Sequence, residues 1–260
     1  KVVLTEFGAA IIADNTWRAK NAALALSVTE DNANADVSSA IISQKLDEIL
    51  DQKPLVISES EGDVDPLLTG ESVIVGTYEV PYLAHAAMEP LNCTILIEDD
   101  KATAWVGHQG SSIVHAAMNE VSQIPKENIT INISILGGGF GRRGEPDFIQ
   151  KATAVAMTMK GTPIQTVFTR EEDMQNDMYR PAAKSRFKAK VNSKGEIEAW
   201  DNMMALQSVS NSAISRIAPA TAPSPKADEA TVEGAVHLPY IMKNRRVAFG
   251  DYASPILVGF

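Results

Sequence analysis

Residues 129–159, ITINISILGGGFGRRGEPDFIQKATAVAMTM, change pattern twice. From Ile129 to Leu136 apolar and polar residues alternate, the period of a half-buried strand. Gly137, Gly138, Gly139, Gly141 and Gly144 then break the alternation around Phe140, Arg142 and Arg143. From Pro146, a residue favoured in a first helical turn, the chain reads as an apolar helix to about Met159, where Gly161-Thr162-Pro163 ends it. Gly139, Gly141 and Gly144 satisfy G-x-G-x-x-G between a strand and a helix. Without Cβ atoms, backbone N–H groups there can come close to a negatively charged ligand. Three readings are open: a structural glycine turn, an anion or cofactor cradle, and a nicotinamide-dinucleotide site with Arg170 reading a 2′-phosphate. The third is weakened by the loop's place behind β-hairpins and by Phe140, which stands where backbone would have to reach the phosphates.

Upstream, Thr94–Glu98 and Thr103–Val106 read as a hairpin turning at Asp99-Asp100-Lys101, after a β-type run at Ser72–Val80. Ser111–Val121 has Ile113, Val114, Ala117, Met118 and Val121 on one helical face. Downstream, strands are expected at Gln165–Thr169, Lys184–Val191 and Glu196–Leu206, the last two joined by a turn at Asn192–Gly195. Ala218–Ala230 reads as a long Ala- and Pro-rich loop. Near the start, strands at Val2–Leu4 and Ala9–Ile12 accompany helices at Asn15–Leu26 and Ser38–Leu50, with Asn15 and Ser38 or Ser39 as N-caps. The acidic stretch Glu61–Gly70, EGDVDPLLTG, is expected to be a linker, with a domain boundary near residue 70. These elements define an α+β fold of mixed sheets with packed helices.

A formal net charge of −10 argues against a surface built for nucleic-acid phosphates or anionic lipid, so small molecules and other proteins are the expected partners. The single cysteine, Cys93, excludes an internal disulfide and a cysteine-rich metal or iron–sulfur site within these residues. No apolar run approaches the roughly 20 residues of a membrane-spanning helix. The chain opens at Lys1 without Met or a signal-peptide core and closes on the largely apolar Val247–Phe260, so it reads as an internal piece of a longer polypeptide. His85, His108, His115 and His237 lack metal-ligand spacing. Met157 and Met159 read as core, and Asp173, Asp177 and Arg180 as a structural ion-pair set.

Several segments taken together carry a resemblance. Val106-Gly107-His108-Gln109 comes before a helix and a strand, followed by Leu136-Gly137-Gly138-Gly139-Phe140-Gly141, then Phe168-Thr169-Arg170-Glu171-Glu172-Asp173-Met174 and Tyr179-Arg180-Pro181. With YLAHAAMEPLNCT at Tyr82–Thr94, this order resembles the first half of the molybdenum-binding region of the xanthine dehydrogenase and aldehyde oxidase family. Within that family it is most similar to the isoquinoline 1-oxidoreductase beta-subunit type. The resemblance implies that residues 1–70 are the tail of an α/β hammerhead domain and residues 71–260 the first part of a molybdopterin-binding domain.

It further implies that Gln109 points its amide at an oxygen ligand of molybdenum. Gly138, Gly139, Phe140 and Gly141 would line the pterin with backbone amides and a ring. Arg142 and Arg143 replace the Gly-Lys-Glu-like continuation of the xanthine-oxidising branch, which directs the expectation to an N-heteroaromatic or aldehyde substrate. Arg142, with Arg143, would either contact cofactor phosphate or pair with Glu145 and Asp147 in a solvated cluster at the helix start. The implied cofactor is molybdopterin in a dinucleotide form. Implied partners are a small [2Fe-2S] subunit and an electron-accepting cytochrome. The family's glutamate base would lie beyond residue 260, so no catalytic residue is assigned, and the chain alone is expected to be inactive and free of cofactor. The competing readings are an NADP-dependent dehydrogenase using the Gly139 loop, which needs a parallel doubly wound sheet, and a non-catalytic interaction domain. A Gln109 amide far from the Phe140 loop would exclude the molybdenum reading.

Overall fold

Alternation along Asn92–Ile97 (β5) buries Cys93, Ile95 and Ile97 and leaves Asn92, Thr94 and Leu96 half-buried, so one face of this strand carries the core. The computed structural model describes residues 1–29, 36–52, 55–218 and 229–260. The chain forms two units, Lys1–Asn32 with Ala84–Asp177, and Ala33–Leu83 with Met178–Phe260, and each takes residues from both sides of residue 70.

In the first unit, β5 pairs antiparallel with Ala102–Val106 (β6) and with Ile164–Val167 (β8), while β6 pairs parallel with Ile129–Ile133 (β7). The resulting order is β7-β6-β5-β8. Helices Ser111–Ser122 (α3) and Asp147–Met157 (α4) supply Val114, Met118, Phe148, Ile149 and Ala152 to one core with Ile95, Ile97, Ala104 and Val106. A separate hairpin, Val2–Thr5 (β1) with Gly8–Ile11 (β2), precedes Thr16–Leu24 (α1), which Asn15 caps by accepting the Arg18 N–H.

The second unit is built on a five-stranded sheet in the order β3-β11-β10-β9-β4. Its strands are Val56–Glu61 (β3), Ile74–Val80 (β4), Ala183–Val191 (β9), Ile197–Leu206 (β10) and Arg245–Asp251 (β11). Only β10 and β11 run parallel; the other neighbours are antiparallel. Ser39–Asp51 (α2), capped by Ser38, places Ile42, Leu46 and Leu50 against Ala182, Ala205 and Tyr252. Leu46 is fully buried, so truncating it to Ala costs about 2–5 kcal/mol. Met204, Leu206, Val247 and Phe249 form a further core with Val232.

The α+β class with mixed sheets is therefore the architecture observed. Several local expectations differ. Directly after the strand expected at Gln165–Thr169, Arg170–Gln175 is a helix (α5), because Thr169 and Glu172 close a capping box around its first turn. The strand expected to reach Leu136 stops at Ile133. Arg245–Asp251 and Val56–Glu61 are strands that local alternation did not disclose, and Val209–Ile217 (α6) is a helix capped by Ser208. The stretch 61–70 connects β3 to β4. The long loop expected at Ala218–Ala230 lies outside the described residues over 219–228.

Candidate cofactor site

The glycine loop sits at the end of β7, within the first unit, and its conformation explains its composition. Gly138, Phe140 and Gly141 have φ of 100°, 55° and 104°, values natural for glycine and strained for phenylalanine. Gly139 has ordinary φ but no room: a Cβ there would lie 2.6 Å from Gln109 Oε1. Gln109 enters from the end of β6. Its Oε1 accepts the Gly141 N–H at 3.1 Å, and its own backbone N–H donates to the Arg143 carbonyl at 3.0 Å. The glutamine amide and the Phe140 loop, distant in sequence, are therefore in contact.

That contact fixes which end of the amide is spent. With Oε1 engaged, the Gln109 Nε2 donors have no partner among the described residues, and neither do the backbone N–H groups of Gly138, Gly139 and Phe140. Donors left open beside a ring that is 60% exposed are the groups with which an anionic, flat-faced ligand could be held. Such donors carry no titratable charge of their own.

Beneath the loop the arginines are buried. Arg143, with no exposed side-chain surface, donates to the carbonyls of Gly138 at 2.9 Å, Gly107 at 3.0 Å, and Glu89 and Pro90 at 2.9 and 3.2 Å. The Glu89 carboxylate lies 3.0 Å from it and also accepts the Gly137 N–H at 2.7 Å. Burial pushes the Arg143 guanidinium down and Glu89 only partly offsets this. Arg142 donates to Asp147 through both terminal nitrogens, at 2.6 and 2.9 Å, and its Nε lies 2.8 Å from Asp177 as an ion pair without hydrogen-bond geometry. Burial opposes the charge on Arg142, but Asp147 and Asp177 outweigh it and hold its pKa above the ordinary value. Arg142 pairs with Asp147, as one of its two expected uses had it, and Arg142 itself is buried instead of solvated.

Asp173 pairs with Arg170, and Asp177 with Arg142 and His85. Arg180, in the second unit, exchanges backbone hydrogen bonds with Leu83. Arg170 donates to the Ala87 and Met88 carbonyls and to Asp173, which commits the side chain that the nicotinamide reading needed. Glu89 and the clasping role of Arg143 were missed in the sequence. The only local signal was two adjacent arginines following glycines, a pattern that surface clusters share.

The sheet β7-β6-β5-β8 has one parallel pair and two antiparallel pairs, so the Gly139 loop does not belong to a doubly wound dinucleotide fold. The scaffold is α+β, with open backbone amides and a fixed glutamine amide gathered at one loop. Residues 49–224 match the molybdopterin cofactor-binding domain, and the chain belongs to that family, the molybdopterin-binding proteins of the xanthine dehydrogenase and aldehyde oxidase group. The chain is 28% identical over 171 residues to isoquinoline 1-oxidoreductase subunit beta of Brevundimonas diminuta, covering 61% of this chain and 22% of that protein. It is 26% identical over 133 residues to a membrane-bound aldehyde dehydrogenase of Gluconacetobacter polyoxogenes whose name cites pyrroloquinoline quinone, covering 51% of this chain and 17% of that protein. In fold it is similar to the aldehyde oxidoreductase of Desulfovibrio gigas, with a TM-score of 0.60 and 16% identity over 77% of this chain and 21% of that one. The chain thus spans about a fifth of the length of the relatives it matches.

Proposed function

We propose that these residues form one wall of the cofactor site in the large subunit of a molybdenum hydroxylase. The enzyme would oxidise an N-heteroaromatic or aldehyde carbon with oxygen derived from water. The observation that carries this reading is the Gln109–Gly141 hydrogen bond, which leaves the Gln109 amide nitrogen as a directed donor beside the open N–H groups of Gly138, Gly139 and Phe140. When bound, molybdopterin in a dinucleotide form supplies a molybdenum centre able to take two electrons from the substrate carbon. Gln109 orients an oxygen acceptor through Nε2, the loop amides hold negative charge without contributing any, and the Phe140 ring excludes water from one side. Arg142 serves the wall from within by fixing the loop, not by reaching outward.

No residue of this chain is proposed as the general base; the full-length polypeptide supplies it. Electrons leave through a small [2Fe-2S] partner subunit, with a cytochrome as onward acceptor. Residues 1–70 are read as the end of a hammerhead-like domain and 71–260 as the first part of the molybdopterin-binding domain. Donors from one side alone do not retain a cofactor, so the isolated chain is expected to be free of it.

The test is metal and pterin analysis of the full-length subunit co-expressed with its iron–sulfur partner, in the wild type and in Gln109→Ala and Phe140→Ala. Molybdenum with pterin dinucleotide in the wild type, reduced in both variants, is the expected result. A metal-free complex, or variants with unchanged cofactor content, would refute the assignment.

A further inference from the structure

Asp177 is buried, and its carboxylate faces two segments of the first unit, through hydrogen bonds at one oxygen and an ion pair at the other. Its Oδ2 accepts both the backbone N–H of His85 at 2.5 Å and the His85 ring Nδ1–H at 2.9 Å, a tautomer assigned from that partner. Its Oδ1 lies 2.8 Å from Arg142 Nε. The side chains of His85, Asp177 and Arg142 are 1%, 2% and 4% exposed, so this carboxylate cannot exchange protons with a bound substrate. Whatever it contributes must act through the residues it holds.

Those residues adjoin the two strained points of the site. Ala86, directly after His85, has φ 46°, and Phe140, two residues before Arg142, has φ 55°. An alanine or phenylalanine leaves the left-handed region unless its surroundings hold it there. The segments they belong to also touch. The Glu89 N–H donates to the Gly137 carbonyl at 3.1 Å, and a Cβ on Gly138 would meet both the Phe140 ring at 3.1 Å and Ala87 Cβ at 3.3 Å.

We propose that Asp177 is a positioning residue: by gripping His85 and Arg142 together, it keeps Ala86 and Phe140 left-handed and so sets residues 85–89 and the glycine loop as adjoining parts of one cofactor wall. This rests on the reading of the Phe140 loop given above. Burial raises the Asp177 carboxyl, and the His85 bonds and Arg142 more than reverse that, so the anion is the form that grips.

The experiment uses the full-length subunit with its iron–sulfur partner, carrying Asp177→Asn, Ala86→Gly and both together. Molybdenum per polypeptide and the thermal midpoint are measured on each. Asp177→Asn should lose molybdenum several-fold while the complex stays folded. Ala86→Gly, which makes the left-handed turn cost-free at that position, should restore part of the molybdenum in the double variant. Wild-type molybdenum content in Asp177→Asn would overturn the proposal. So would a loss that only tracks unfolded protein and is not recovered by Ala86→Gly, because the role would then be purely structural. A wild-type complex lacking molybdenum would remove the cofactor reading and this proposal with it, whereas unaffected variants in a molybdenum-loaded complex remove the proposal alone.

Discussion

Gln109 Oε1 and the Gly141 N–H, 32 residues apart in the chain, form a 3.1 Å hydrogen bond that locks the loop to the end of β6. Gly139 makes room for it, since a Cβ there would lie 2.6 Å from Oε1 and 2.9 Å from Cδ. Gly139→Ala should therefore displace the glutamine and cost about 1 kcal/mol for the lost bond. Once Gln109 is truncated the obstacle is gone, so Gly139→Ala should cost little in a Gln109→Ala background. A double-mutant cycle by urea unfolding measures the coupling, and strictly additive losses would show that the two residues do not act on one another.

Arg143 gives a second prediction. Its buried guanidinium satisfies four backbone carbonyls and faces the Glu89 carboxylate, whose side chain is 36% exposed. Arg143→Met leaves those oxygens without donors, a loss of about 3 kcal/mol, to which the solvent-screened Glu89 adds little. Arg143→Lys should fall nearly as far, because one ammonium cannot reach carbonyls spread around a planar fork. Equilibrium unfolding of both variants checks this; a loss under about 1 kcal/mol in either would mean that the loop does not depend on the clasp.

What the sequence disclosed and withheld has physical reasons. Strong periodicity marked β5, β6, α3 and α4, and the capping side chains of Asn15 and Ser38 marked the starts of α1 and α2. The Gln109–loop contact followed only from resemblance, since nothing local tells a glutamine which carbonyl or amide it will meet. The Thr169-x-x-Glu172 capping box was present to be read, yet the apolar run before it drew Thr169 into the strand expected at Gln165–Thr169. Arg245–Asp251 pairs with β10 and β3, and such long-range ladders leave no local signature in Arg-Arg-Val-Ala-Phe-Gly-Asp. The burial of Arg142 and Arg143 was not legible, because burial of an arginine is set by partners that come from distant segments.

Cys93 supplies a third prediction. It is 1% exposed on the core face of β5, and burial pushes its thiol up to about 12, with the positive charge of Arg143 opposing only in part. The thiolate is the reactive form, so the folded protein should resist a maleimide or aromatic disulfide reagent near pH 8, and denaturant should expose one reactive thiol per chain. Rapid labelling of the native protein would show that the β5 face opens without global unfolding.

The fourth prediction concerns His108, one residue before Gln109. Its Nδ1 accepts the Gly110 N–H at 2.9 Å, its Nε2 lies 3.4 Å from the Glu145 carbonyl, and its ring stacks on Phe148 at 5.7 Å between centroids. A ring nitrogen that accepts a hydrogen bond is unprotonated, so the neutral tautomer carries its hydrogen on Nε2. Burial is the main cause of its lowered pKa. A folded pKa below the unfolded value of about 6.5 means that the unfolded chain binds more protons, so stability is complete above that value and declines as pH falls through it toward the folded pKa. Asp147 and Asp177 act in a separate window. Burial raises both carboxyls, but Arg142 at Asp147 and His85 with Arg142 at Asp177 outweigh it, so their contribution is lost only below about 4, the ordinary aspartate range. Urea midpoints followed from about pH 7.5 downward should fall in two stages. His108→Asn, which keeps an acceptor for Gly110, should abolish the first stage and leave the second. If wild type and variant fall in parallel just below pH 6.5, His108 is not the group that titrates there.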